Sequence, residues 1–574
     1  ATRGIRWLQV FRNDRDRRDL VTCGAVSGVA AAFRAPVGGV LFALEEAASF
    51  WKNQLLWRAF FTNAVVVVVL RSVMKFCEGG KCGHFGSGGF VIFDISSGQN
   101  DYALYEVFPA CILGVIGGLL GALFNHINGV ISVWRRDWLT PKYGPHSKIY
   151  EACVVAFVTS LVSFCVPLMF ECTQCPEGTA TCPRHEGHYG NFVQFNCPDP
   201  KSQYNDIATI FFNTQDDAIR NLFSSNTDHE YSARSLITFL VVFFFLAVWT
   251  YGISVPSGLF VPCILCGASY GRLMGMFMVS IAGVADIDEG TYALLGAASF
   301  LAGAMRMTVS LCVILLELTN NMNLLPLIML VLLIAKAVGD HFNLPVYDLH
   351  IKIKRLPVLE ATPESFMRHL TAQDAANMNP VTFERVSRVM DIVHTLKSCR
   401  HNGFPVMQTF PWGGQVLVGI MLRKDLLKLL HKKTDFKSSS EVDERSRRNA
   451  VRYDITEFNK DISGKELEIG DLAFLPQELE MWLDMGPFVN PSPYIVQNDT
   501  SLTKVYNLFR TLGLRHVLVV PHITQVLGVI TRKDILADTI EHRCPAVPLT
   551  EMPRERKPHR DVPTRPGGAV ELTQ

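Results

Sequence analysis

Apolar residues crowd the first three-fifths of the chain. Runs free of charged side chains extend over Val107–Trp134, Ala152–Phe170, Ser235–Gly271 and Leu318–Ala335, each near or beyond the roughly 20 residues that cross a bilayer as a helix. The pattern predicts helices near 21–33, 37–52, 55–75, 103–133, 148–170, 204–221, 234–251, 259–280, 290–303, 307–318, 325–339 and 347–355. Several are too short to span. They are interrupted at Ala35-Pro36-Val37-Gly38-Gly39, at Pro256-Ser257-Gly258 and at Thr319-Asn320-Asn321. Irregular backbone at membrane depth survives only where protein or a water-filled cavity solvates it, so broken helices point to a transport site.

After Tyr347 the period changes to short apolar strands alternating with amphipathic helices. Val416–Leu426 (VLVGIMLRKDL) and Val526–Ile535 (VLGVITRKDI) each read as a strand, a turn and a helix start, and each follows a helix and another strand, Phe404–Met407 and Val517–Val520. Residues 377–432 and 486–545 are therefore predicted to be two copies of one soluble α/β unit. The stretch 433–485 between them, charged and Ser-rich from Lys432 to Asn449, reads as a linker, and the tail 546–574 as disordered.

Charge adds orientation. Only 19% of the 574 residues are charged and the formal net charge is +1, which gives no reason to expect a nucleic-acid partner. Ala1–Leu20 has six arginines and no signal-peptide pattern, and the opening without Met suggests a fragment. The short basic loop from Trp134 to Lys148 should be cytoplasmic, which puts the polar loop one span further on at the lumenal or extracellular face. That loop holds Cys172, Cys175, Cys182 and Cys197, and Cys77 and Cys82 lie in a second polar segment. These six are disulfide candidates with pairing open. Cys172-x2-Cys175 has zinc-ligand spacing, but no metal is assigned.

Two constellations hold chemistry. The segment GAVSGVAAAFRAPVGGVLFALEEAASF, Gly24–Phe50, has small residues for close helix packing and then two adjacent carboxylates, Glu45 and Glu46. Gly252–Pro262, GISVPSGLFVP, sets glycines before a helix start, where free N–H groups and the positive dipole end hold an anion without a full charge. A weakly held anion can leave again, as transport requires.

At these residues the chain resembles the CLC family. AAAFRAPVGGVLFALEE is similar to the helix pair with the family's internal proton glutamate, PSGLFVP to its GxFxP anion motif, and LPVYD, Leu344–Asp348, to the segment with its anion-contacting tyrosine. The tandem units resemble the CBS pair of eukaryotic members. FRNDRDRRDLVTCG, GTYALLGAASFLAGAMRMTVSLCVILLELTNN and NPSPYIVQNDTSLTKVYNLFRTLGLRHV are most similar to the plant intracellular group, its d-type above all.

The resemblance implies an α-helical polytopic membrane protein with inverted repeats and broken helices over 1–355, followed by a cytoplasmic α/β CBS pair. It implies voltage-dependent transport of chloride or nitrate, with Glu46 transferring protons, Gly258, Leu259, Phe260 and Tyr347 binding the anion, and the Glu45-Glu46 pair favouring exchange with protons over a passive channel. It also implies a non-enzymatic homodimer in a trans-Golgi or endosomal membrane, with the vacuolar membrane as the alternative. No cofactor is required. ATP or another adenine nucleotide is the expected regulator, held by His401, Asn402, Thr531 and Asp534, whereas Leu422 replaces the threonine before Asp425 in the first CBS unit. Two family motifs, GSGIP and GKEGP, precede the helix pair in relatives and do not occur here, so the first repeat is expected to be truncated. Competing readings are a passive channel, a non-transporting subunit and a CBS-regulated cation transporter. The last would need pore-lining acids that the long runs do not offer.

Overall fold

The computed structural model describes residues 14–48, 53–77, 104–144, 146–174, 192–198, 203–224, 230–282, 288–319, 321–354, 356–360, 362–410, 414–433, 436–438, 469–521 and 525–544. The chain divides into two compact units, Arg18–Leu356 and one built from Pro357 onward.

The first unit is helical. Its helices are α1 (Asp14–Phe33), α2 (Pro36–Phe42, continued by a π-helical turn over Ala43–Ala47), α3 (Asn53–Cys77), α4 (Val107–Trp134), α5 (Thr140–Tyr143), α6 (Ser147–Leu168) and α7 (Asp206–Phe212). There follow α8 (Gln215–Leu222), α9 (Ala233–Thr250), α10 (Phe260–Ala282), α11 (Glu289–Met305), α12 (Val309–Thr319), α13 (Leu325–Phe342) and α14 (Val346–Ile353). Among the described residues, six stretches are long and apolar enough to cross a membrane. α11 is buried along its whole length and forms the core. It reaches its neighbours through glycine: a Cβ on Gly271 of α10 would lie 2.3 Å from the Tyr292 carbonyl oxygen, and one on Gly121 of α4 would lie 2.2 Å from the Gly303 carbonyl carbon. Backbones this close leave no room for alanine.

The helix predicted over 204–221 is two helices. Asn213 is extended (ψ 165°), and the Thr214 hydroxyl takes the Asp217 N–H, which starts α8 afresh. The apolar run Leu318–Ala335 is likewise cut between α12 and α13. This second break falls where Thr319-Asn320-Asn321 predicts it, whereas hydropathy does not see the first, because a cap is a matter of one polar atom.

In the second unit, α15 (Ala372–Ala375) precedes the short strands β3 (Asn377–Met378), β4 (Phe383–Glu384) and β5 (Val386–Arg388), then α16 (Val389–Ser398), β6 (Gly403–Thr409), β7 (Gln415–Leu422) and α17 (Arg423–Lys432). β8 (Phe436–Lys437), β9 (Trp482–Asp484), β10 (Ile495–Gln497), α18 (Leu502–Leu512), β11 (His516–Val520), β12 (Gly528–Thr531) and α19 (Ala537–Arg543) complete it. The two repeats exchange ends. β3, from the start of the first, pairs with β12 in the sheet β10-β11-β12-β3, while β9, from the stretch read as linker, pairs with β5 and β8. Met367, Leu370 and Ala372 share a core with Val517 and Ile530, and Leu483 and Met485 share one with Phe404 and Leu426.

Candidate functional site

The chain between α9 and α10 is irregular, and its shape is imposed from α4. Gly252 stands at φ +89°, which an L side chain rarely adopts, and a Cβ there would crowd Arg135, Ser132 and His350. The carbonyls that end α9 are all taken up: the Asn128 amide donates to Val248 (2.9 Å) and Tyr251 (3.0 Å), and Arg135 donates to Tyr251 (2.9 Å) and to Trp249. Arg135 is itself paired with Glu151 at 2.5 Å, and His350 of α14 meets the Asn128 side-chain oxygen at 2.9 Å. The negative end of α9, which would repel an anion, is thereby neutralised beside the next helix start.

That start is the reverse case. The Leu259 carbonyl accepts the Cys263 N–H (3.2 Å), so the N–H groups of the first turn of α10 have no partner inside the helix. Pro262 contributes none, which leaves Leu259, Phe260 and Val261. Gly258 is open, with nothing within 4 Å of a Cβ position, so a ligand can approach the backbone. The Phe260 ring packs on Phe33, at the end of α1, with centroids 4.8 Å apart.

Tyr347 lies in the first turn of α14. Among the described residues its hydroxyl meets only the weak acceptor Met305 Sδ, at 3.9 Å, and Tyr251, Cys263 and Glu46 lie within electrostatic range of it. Cys263 is one turn into α10. Glu46, half-buried on the π-helical turn, lies within electrostatic range of Asp348 and Lys336. Its neighbour Glu45 is engaged elsewhere, by the N–H and hydroxyl groups of Thr308 and Ser310. Sequence reasoning named Glu46, Leu259, Phe260 and Tyr347 but missed Asn128, Arg135 and His350. Their signal was weak: single polar residues at the ends of apolar runs.

In the second unit the candidate nucleotide residues are linked through Gly403 and His516, which bring the two repeats together. His401 and Asn402 are exposed just before β6. A Cβ on Gly403 would lie 3.1 Å from His516 Nε2, and His516 pairs in register with Thr531. Asp534 accepts from the Thr531 N–H (2.8 Å), the Thr531 hydroxyl (2.6 Å) and Arg543 (2.7 Å).

Cys172 and Cys197 form a disulfide beside the two-stranded pair of β1 (Thr173–Gln174) with β2 (Gln203–Tyr204). Cys82, Cys175 and Cys182, and the side chain of Cys77, fall outside the described residues. With Cys172 oxidised, the zinc reading of Cys172-x2-Cys175 loses one ligand.

Comparison with known proteins agrees with this architecture. The family model for voltage-gated chloride channels matches residues 3–340, and the CBS-domain model matches residues 485–539. The chain is 53% identical over 572 residues to chloride channel protein CLC-d of Arabidopsis thaliana, covering 99% of this chain and 72% of that one. It is 38% identical over 545 residues to the human H(+)/Cl(-) exchange transporter 7, covering 93% and 64%. A crystal structure of a eukaryotic CLC transporter superposes with a TM-score of 0.56 at 21% identity, over 92% of this chain and 72% of that one, a likeness of fold. The chain is a multi-pass membrane protein of the voltage-gated chloride channel (CLC) family, similar to the CLC-d type of plants.

Proposed function

We propose that the protein moves chloride or nitrate across an endomembrane in exchange for protons. The observation that supports the reading best is the Tyr347 hydroxyl, held only by a weak contact with Met305 Sδ among the described residues, with Cys263 of α10 and the Glu46 carboxylate both within electrostatic range of it. The N–H groups of Leu259 and Phe260 and the Tyr347 hydroxyl hold the anion as donors without a full positive charge, so it can leave. Glu46 takes up and releases the proton from the side where Lys336 and Asp348 stand. The human relative is an H(+)/Cl(-) exchange transporter, which supports the reading of coupled anion and proton movement.

The protein acts as a homodimer in the trans-Golgi or endosomal membrane, with the vacuolar membrane as the alternative, and its CBS pair takes ATP or another adenine nucleotide as regulator. Simultaneous voltage-clamp and pH recording of the full-length protein tests the exchange. Glu46→Ala is expected to abolish proton movement while anion current persists. Proton movement that survives the substitution would remove Glu46 from the proposed pathway.

A further inference from the structure

Glu45, the other member of the carboxylate pair, belongs to a device that occurs twice. Residues 34–45, RAPVGGVLFALE, and residues 306–317, RMTVSLCVILLE, align without a gap. Each segment opens on an arginine in the left-handed region, φ 51° at Arg34 and 66° at Arg306. A side chain held there costs on the order of 1 kcal/mol, and the shared cost at one aligned position marks the segments as structural copies. Each then forms a short helix, α2 or α12, and ends on a glutamate.

The two glutamates reach across to each other's helix. Glu45 Oε1 accepts from the Thr308 N–H (2.8 Å) and hydroxyl (2.9 Å), and Oε2 from the Ser310 N–H (3.0 Å) and hydroxyl (2.5 Å). Glu317 Oε1 accepts from the Val37 N–H (3.1 Å), and Oε2 from the Gly38 N–H (2.9 Å). The helices therefore lie antiparallel, each start closed by the carboxylate from the other's end. They also lie close, since a Cβ on Gly38 would be 2.5 Å from Ile314 Cγ1. The copies differ for a plain reason. Pro36 stands where the other segment has Thr308, and has neither N–H nor hydroxyl, while Gly38 lacks the hydroxyl of Ser310. Glu317 thus has two donors and Glu45 four. In both cases a full negative charge meets the unpaired N–H groups and positive dipole end of a helix, the arrangement a carboxylate cap exploits.

We propose that Glu45 and Glu317 are a reciprocal lock between the two repeats, and that Glu45, through this lock, is the positioning residue for Glu46. This rests on the reading of Glu46 as the proton-transfer group. Four bonds pin the Glu45 side chain to the start of α12 and with it the turn Ala43–Ala47. Glu45 and Glu46 are adjacent on this turn and point to different sides of it, so Glu45 held on α12 fixes the side on which Glu46 stands, and Asp348 and Lys336 lie within electrostatic range of Glu46 there. Glu317 stands about 13 Å away along α2, from the helix rise between Val37 and Glu46, and acts on the opposite end.

The lock and the positioning are separable by measurement. In the full-length protein, backbone amide exchange is followed over peptides covering 306–312 and 36–42, and anion and proton fluxes are recorded together after reconstitution. Glu45→Gln puts an amide NH2 against N–H donors. It is expected to speed exchange of 306–312 by about tenfold and to lower proton flux per anion by about threefold, with anion flux held within about twofold. Glu317→Gln should speed exchange of 36–42 and leave the proton-to-anion ratio unchanged. Unaltered exchange of 306–312 in Glu45→Gln overturns the lock. Equal proportional losses of both fluxes overturn the positioning role, since a merely structural residue would produce them. If Glu46→Gln leaves proton flux intact, the proton reading and the positioning role fall together, while amide exchange still decides the lock.

Discussion

The two strand-to-helix turns of the soluble unit begin from similar sequences, LRKD at Leu422–Asp425 and TRKD at Thr531–Asp534, and end in different states. What they share is structural: Arg423 donates to the Leu396 and Cys399 carbonyls (2.5 and 2.6 Å), and Arg532 to the Leu514 carbonyl (3.0 Å), each closing the end of the helix before it. They differ in the aspartate. Asp534 gathers three donors, and the chain turns through Arg532–Ile535 before α19 begins at Ala537. Among the described residues Asp425 gathers none, because Leu422 offers no hydroxyl and α17 begins at once. Burial pushes its carboxyl above the ordinary range, with Lys424 and Lys428 offsetting part of the shift. A third pair, Thr371 and Asp374, repeats the bonds of the second turn at 2.8 Å each on an exposed surface. The Thr-x-x-Asp geometry alone is thus a capping box. What singles out Asp534 is that its partner Thr531 pairs in register with His516, and that it forms an ion pair with Arg543.

The largest expected break in this comparison is Asp534→Ala. It removes the acceptor for three donors and leaves Arg543 without its carboxylate, so the unit should lose about 2 kcal/mol. Calorimetry on residues 356–545 should show about one ATP site per chain in the wild type and none in the variant. Circular dichroism of the folded variant separates lost binding from lost fold. If Asp534→Ala binds ATP as the wild type does, the nucleotide assignment fails and the aspartate is a cap only. A smaller effect, of opposite sign, is expected from Leu422→Thr. It gives Asp425 the hydroxyl that Asp534 already has and should stabilise the unit by about 1 kcal/mol, read as a rise in Tm. No gain would mean that α17, already started at Arg423, cannot open the turn a cap needs.

Much of this was legible beforehand, and the reasons differ by level. Helix positions followed from hydropathy, since most of the apolar runs correspond to helices of the first unit, and the breaks at Ala35 and Pro256 lie at the starts of α2 and α10. Glu46 and the start of α10 were singled out beforehand as site candidates because a carboxylate or an irregular backbone at membrane depth is chemically costly. The break within 204–221 was not, because a Thr214 side chain decides it. Nor was the exchange of β3 and β9 between repeats, since strands of two or three residues have too little pattern to assign a partner. The likeness of residues 34–45 to 306–317 was present in the sequence, but its meaning depends on two glutamates reaching across to each other's helix, which no one-dimensional pattern encodes.

The smallest effect tests the same pair of turns through pH. The folded-state pKa of Asp425 is raised by burial. Below the unfolded value, near 3.9, the carboxyl is protonated in both states and costs nothing. As pH rises through the folded value, the unfolded chain has already released its proton, so the folded state bears the cost of an ionised, unbonded carboxylate and stability falls. Asp425→Asn should therefore match the wild type near pH 4 and exceed it at pH 7, by less than about 1 kcal/mol because Lys424 and Lys428 and partial exposure screen the charge. In the Leu422→Thr background the sign should reverse. There the hydroxyl and the residue-422 N–H donate to the carboxylate, ionisation strengthens those bonds, and stability is kept as pH rises. Denaturant titrations of residues 356–545 at the two pH values measure both. If Asp425→Asn shows the same pH profile as the wild type, Asp425 is solvated well enough that its missing donors cost nothing, and the contrast between the two turns reduces to Asp534 and its partners.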